Sequence, residues 1–154
     1  MYSKCLVPLD GSELAECALN HVKNLAKEKS IGEVTLLNVV KVDIPWAHMS
    51  GKDRKVIDLQ TIRQPLFAAA RKYLEDAKAR LASEGITVKI EAVEGERPGR
   101  VIAEYARKNG IALIVIATHG YTGFKKVLLG SVASQVLHES HVPVLLIRPE
   151  SCCP

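Results

Sequence analysis

Between Ala117 and Ser131 the chain reads ATHGYTGFKKVLLGS, and its chemistry-bearing residues crowd there. Gly120, Gly123 and Gly130 offer backbone that a ligand can approach closely, Lys125 and Lys126 offer positive charge, and Ser131 offers a hydroxyl beside its own N–H. The apolar run LIVI over residues 113–116 comes just before and reads as a buried strand. Val132, Ala133, Val136 and Leu137 follow at helical spacing, so a helix begins at Ser131. A helix start exposes unpaired N–H groups and the positive end of the helix dipole, about half an elementary charge, and both attract phosphate. Taken alone, the stretch fits equally well a long connection whose glycines only permit turns and whose lysines are solvated.

Other residues suggest other chemistry. His119, Asp10 and Ser131 together have the composition of a hydrolytic triad, but Ser131 stands in Gly-Ser-Val rather than in a Gly-x-Ser-x-Gly elbow, so no catalytic residue is assigned. His138 and His141 lack carboxylate or cysteine ligands at a metal-binding spacing and read as surface histidines, leaving no metal site. Nor is there a Mg²⁺-binding carboxylate pair or a water-activating base beside the glycine-rich loop, so hydrolysis of a bound nucleotide would be slow at most. Trp46, His48 and Met49 either cover a crevice or anchor a loop.

The elements that position these residues follow a simple order. KCLVPL over residues 4–9 is a compact apolar strand broken by Asp10 and Gly11; Ser12 is a natural N-cap, with Glu13 in the first helical turn. Leu14, Ala15, Ala18, Leu19, Val22, Leu25 and Ala26 give that helix one apolar face, with Cys17 and His21 beside it. VTLLNVV over residues 34–40 is apolar nearly throughout, as a strand buried on both sides must be. Residues 41–60 read as a long mobile connection. The spacing then predicts a helix over 61–83, its face marked by Ile62, Leu66, Ala70, Tyr73, Leu74, Ala77 and Leu81. It also predicts a strand at the sheet edge over 86–93 and a helix starting at Pro98, with Val101, Ile102, Tyr105 and Ala106 on its face. The last strand is Val144–Ile147, and 150–154 is a tail.

Five strands alternating with four helices predict an α/β fold, a parallel sheet with helices on both faces, in one domain over 1–154. Ligands of such sheets bind beyond the carboxyl ends of the strands where strand order reverses, which would bring Asp10 and the glycine-rich loop to one crevice. The dispersed net charge of +4 and an aromatic content of only 5% argue against nucleic acid as a partner. No apolar run reaches the roughly 20 residues of a membrane span, and the first residues lack a signal-peptide pattern, so a cytoplasmic location is expected. On the same ground Cys5, Cys17, Cys152 and Cys153 are expected to be free thiols.

The opening VPLDGS, the second strand ending in Leu37-Asn38-Val39, and Gly120 followed after nine residues by Gly130-Ser131 and later by Pro143-Val144 resemble the universal stress protein family over nearly the whole chain. The resemblance implies an open five-stranded sheet of order 3-2-1-4-5, Rossmann-like and akin to the adenine nucleotide alpha hydrolases. It further implies homodimers joined through the last strand, and ATP or AMP, with or without Mg²⁺, in the crevice. It places Pro8 and Asp10 by base and ribose, with Leu9 between them in the site, and Val39 against adenine. Gly120, Gly130, Ser131 and Val132 would hold the phosphates with His119 close to them, and Ile116, Ala117 and Ala133 would complete the nucleotide site. Two residues depart from the family pattern: Ala117 replaces the first glycine of the motif, and Ala112 replaces a frequent acidic residue. The function implied is a nucleotide-dependent stress or signalling module, the alternative being a nucleotide-independent dimeric interaction protein of the same fold.

Overall fold

Strands that are apolar on both faces need a cover on each side, and the chain supplies helices alternately to one face and the other. In the computed structural model, which describes residues 1–43, 58–118 and 129–148, the strands are β1 (Tyr2–Pro8), β2 (Ile31–Val40), β3 (Val88–Glu94), β4 (Leu113–Ala117) and β5 (Val144–Ile147). The helices are α1 (Glu13–Lys27), α2 (Leu59–Ala82), α3 (Pro98–Lys108) and α4 (Ser131–Glu139). All strands run parallel, in the order β3-β2-β1-β4-β5. The α/β class, the order and the edge position of β3 therefore stand as read from the sequence.

Alternation along each strand divides the interior into two cores. Cys5, Val7, Leu36, Leu113 and Val115 point to one face, where Ala18, Leu19 and Val22 of α1 and Leu74, Ala77 and Leu81 of α2 cover them. Leu6, Leu37, Ile114 and Ile116 point to the other, against Ile102 and Ala106 of α3 and Ala133 and Val136 of α4. A slip of one residue in any of these strands would exchange its two faces, so the pattern fixes register strongly.

Three expectations need correction. α2 begins at Leu59 rather than at residue 61, because Asp58 caps it by accepting from the Gln60 N–H at 3.0 Å; the 41–60 connection is thus shorter at its end, and residues 44–57 lie outside the described residues. Leu66, placed on the buried face of α2, is 39% exposed, and that face is buried only from Ala70 onward. Cys17 is not a free thiol but disulfide-bonded. Cys5 is free and buried, while Cys152 and Cys153 lie outside the described residues.

Candidate functional site

The sheet is stitched unevenly, and the site follows from that. β1 pairs with β2 as far as Pro8 opposite Leu37, and the Leu9 N–H still donates to the Leu37 carbonyl at 2.8 Å. β4 pairs with β5 as far as Ala117 opposite Ile147, and the Thr118 N–H donates to the Ile147 carbonyl at 2.9 Å. Between β1 and β4, however, only Cys5 with Leu113 and Leu6 with Ile114 are in register. Beyond that point each strand stays with its outer neighbour, and the carboxyl ends part. β1 and β4 lead to helices on opposite faces, so the gap opens at the switch point where such sheets hold ligands.

A cavity of about 300 Å³ fills this gap. Pro8, Leu9 and Asp10 line it from β1, Val39 from β2, Ile116 and Ala117 from β4, and Val132 and Ala133 from α4. Most of the wall is apolar, with Asp10, Ser12, Lys41 and Thr118 as the polar or charged members among the described residues. Apolar walls with a few placed polar groups suit a flat, partly polar small molecule.

The polar groups are held in place by neighbours close in sequence. Asp10 Oδ1 accepts from the Ser12 N–H at 2.9 Å and from the Ser12 hydroxyl at 2.6 Å, and Ser12 Oγ in turn accepts from the Ala15 N–H at 3.1 Å to cap α1. One carboxylate oxygen of Asp10 is thereby committed, and Oδ2 has no partner among the described residues. Asn38 steadies the same turn by donating from Nδ2 to the Leu9 carbonyl at 2.8 Å. The start of α4 is different: Gly130 is its N-cap and makes no side-chain cap, and no acidic residue stands in the first turn. The N–H groups of Ser131, Val132 and Ala133 thus open the helix without a side-chain partner among the described residues, and Val132 and Ala133 line the cavity.

The structure brings together ten of the residues picked out by sequence: the eight lining residues above, with Gly130 and Ser131 immediately before Val132. His119, Gly120, Gly123, Lys125, Lys126, Trp46, His48 and Met49 lie outside the described residues. Ala117 lies in β4, and Lys29 is the only described non-glycine residue with positive φ. The alanine methyl thus sits at this position without backbone strain. Sequence reasoning missed Thr118, Pro98, Ile102 and Lys41 as wall residues. Pro98 was legible as a helix start, and a helix start beside the carboxyl end of a parallel sheet is the signal that would have added it. Among the described residues no group of three His, Cys, Asp or Glu side chains could hold a metal ion, and no helix is long and apolar enough to cross a membrane.

The model of the universal stress protein family matches residues 1–148. The chain is 33% identical over 152 residues to universal stress protein YxiE of Bacillus subtilis, covering 96% of this chain and 100% of that one. It is 35% identical over 157 residues to universal stress protein MJ0577 of Methanocaldococcus jannaschii, covering 96% of each, and the solved structure of MJ0577 superposes with a TM-score of 0.75. A universal stress protein family protein from Arabidopsis thaliana, At3g01520, solved with AMP bound, has the same fold at 19% identity and a TM-score of 0.66, covering 95% of this chain and 91% of that one.

Proposed function

Since this chain belongs to the universal stress protein family, we propose that its crevice binds an adenine nucleotide, ATP or AMP, and that occupancy makes it a nucleotide-dependent stress or signalling module. The observation that carries this is the uncapped start of α4 at one side of a largely apolar cavity that also presents a carboxylate. In this reading Val39, Leu37 and Ile116 cover the base, the free oxygen of Asp10 accepts from the ribose, and the N–H groups of Ser131, Val132 and Ala133 take phosphate oxygens. A purine face matches apolar side chains, and phosphate matches the dipole end, so each part of the ligand meets the group that suits it.

Asp10 is the only carboxylate among the described wall residues, and we assign no catalytic residue. Adenine nucleotides are abundant in the cytoplasm, the compartment this function implies. Isothermal titration of the purified chain with AMP and with ATP should give saturable heat; no heat and no competition at millimolar nucleotide would defeat the assignment.

A second reading has its own support. β5 is a free sheet edge, Leu145 on it is 37% exposed, and Leu137 on neighbouring α4 is 40% exposed. We assign Val144–Ile147 as the homodimer contact. If the dimer alone is the functional unit, its melting temperature will ignore nucleotide, whereas a ligand of the native state must raise it.

A further inference from the structure

The four cysteines of the chain stand in different states. Cys5 is buried and free, and burial pushes its thiol up to about 12, which keeps it out of thiol exchange. Cys17, on α1, is disulfide-bonded. With Cys5 free, count alone leaves Cys152 or Cys153 as its partner within the chain, and the other member of that adjacent pair keeps its thiol.

The fold makes this pairing reachable. β5 runs parallel to β4, so the chain leaves it at the carboxyl end of the sheet, the end at which α1 begins; there the Thr118 N–H holds the Ile147 carbonyl at 2.9 Å. Ile147 is buried in the core that α1 covers, and Cys17 packs on that same core. Four or five residues of chain lead from Arg148 to the pair, an extended reach of roughly 13–18 Å, and Cys17 lies only about 6 Å along α1 from its first residue. Cys17 is only partly buried and lines a surface hollow of about 200 Å³ with Glu13, Glu16, Lys23 and Arg80. Walls of both charge signs suit a small peptide disulfide that carries carboxylates and an amine. The Sγ atom lies 3.6 Å from the Glu13 carbonyl, an acceptor for the thiol once it is reduced.

We propose that Cys17 is a redox-modification site whose reagent is a low-molecular-weight disulfide of the glutathione class, and that the tail pair Cys152 and Cys153 supplies the sulfur that closes the bond. The Cys17 thiolate attacks the small disulfide, forming a mixed disulfide and releasing one small thiolate. A thiolate of the tail pair then attacks the Cys17 sulfur and expels the second. Two protein thiols become one disulfide, one small disulfide becomes two thiols, and the two protons pass from the protein thiols to the small ones. Excess small thiol runs both steps backwards, as suits a compartment where lasting disulfides are rare. α1 follows β1, and β5 pairs with β4; these are the strands that part at the crevice, so the bond ties one side of the opening to the other. The assignment stands apart from the nucleotide reading.

The test equilibrates the intact chain with reduced and oxidised glutathione in graded ratios. Thiols are then trapped by alkylation in denaturant, peptides are mapped by mass spectrometry, and melting temperatures are taken at both extremes. The reduced extreme should give four alkylated cysteines, and the oxidised extreme two, with the Cys17 peptide joined to the tail peptide within a single chain. The linked form should melt about 5–10 °C higher, as expected when a long loop is closed. Cys17→Ser, and separately the double variant Cys152→Ser, Cys153→Ser, should lose both the link and the shift; the double variant leaves α1 untouched and should melt like the reduced unaltered chain. Cys17 found only on glutathione or on a second chain, a bond between Cys152 and Cys153 instead, a link that excess reduced glutathione does not undo, or a linked form that melts like the reduced one would each overturn the proposal.

Discussion

Three helices begin at the crevice, α1, α3 and α4, and the first and last of them begin in opposite ways. α1 has its positive end occupied by its own chain: Ser12 caps it, Asp10 holds Ser12, and Glu13 and Glu16 stand in its first turn. α4 starts on Gly130 with no side-chain cap and no acid in its first turn. Good N-caps stabilise a helix by about 1 kcal/mol, so a terminus at a cavity that lacks one gives up stability and keeps donors open for a visitor. On the proposed reading the contrast separates framework from binding surface: Ser12 at the start of α1 holds Asp10, and the start of α4 lines the same cavity.

The strongest way to break this contrast is to make α4 resemble α1. Gly130 has φ −58° and ψ 152°, backbone that any residue adopts, so Gly130→Asp should cap the helix. It should raise the melting temperature by about 1–3 °C and lower nucleotide affinity by about a hundredfold or more, because the carboxylate takes the N–H groups and repels phosphate. Calorimetric titration beside a thermal melt would read both; retained affinity would mean that α4 is not the phosphate end.

The converse change is smaller. Ser12→Ala removes the α1 cap and the hydroxyl bond to Asp10 Oδ1, leaving the backbone N–H bond in place, and should cost about 1 kcal/mol in urea unfolding, or roughly 2–4 °C. AMP affinity should drop by about three- to tenfold, one hydrogen bond's worth of positioning. Stability and affinity thus move together at α1 and in opposite directions at α4.

The smallest effect sharpens the contrast through pH. Burial raises Cys5 from its ordinary value near 9 to about 12 and is the first cause of the rise of Tyr73 from near 10 to about 12; both groups belong to the α1 and α2 face. A pKa higher in the folded than in the unfolded chain means stability that is fully present below the unfolded value and lost as pH climbs through the folded one. The urea midpoint should hold level up to about pH 9 and then decline. In the double variant Cys5→Ala, Tyr73→Phe the decline should be shallower, and an unaltered slope would show that the alkaline sensitivity comes from elsewhere.

The scaffold was legible in the sequence because its signals are local and redundant. VTLLNVV has no polar face to offer to water, and Ser12 followed by Glu13 marks a helix start without reference to the rest of the chain. The same holds for Gly130-Ser131. What stayed hidden depends on partners distant in sequence. Tyr73 reads as one more apolar-face residue at helical spacing, and only the fold shows that it lines the same hollow as Asp10 with its hydroxyl buried. Leu66 sits at a core spacing but on a turn of α2 that overhangs the sheet end, so periodicity alone marks it as buried when it is not. Asp58 stands between Ile57 and Leu59, at the end of a stretch with no steady period, so nothing local marks it as a cap. Cys17 was misread because composition speaks to the redox environment and not to which sulfur reaches which.

The brief pairing of β1 with β4, two rungs against the long ladders on either side, also has a mechanical meaning. It divides the sheet into a three-strand plate and a two-strand plate that share two rungs at one end of their seam. A molecule that touched β2, β1, β4 and α4 at once would be a rivet across the open end of that seam.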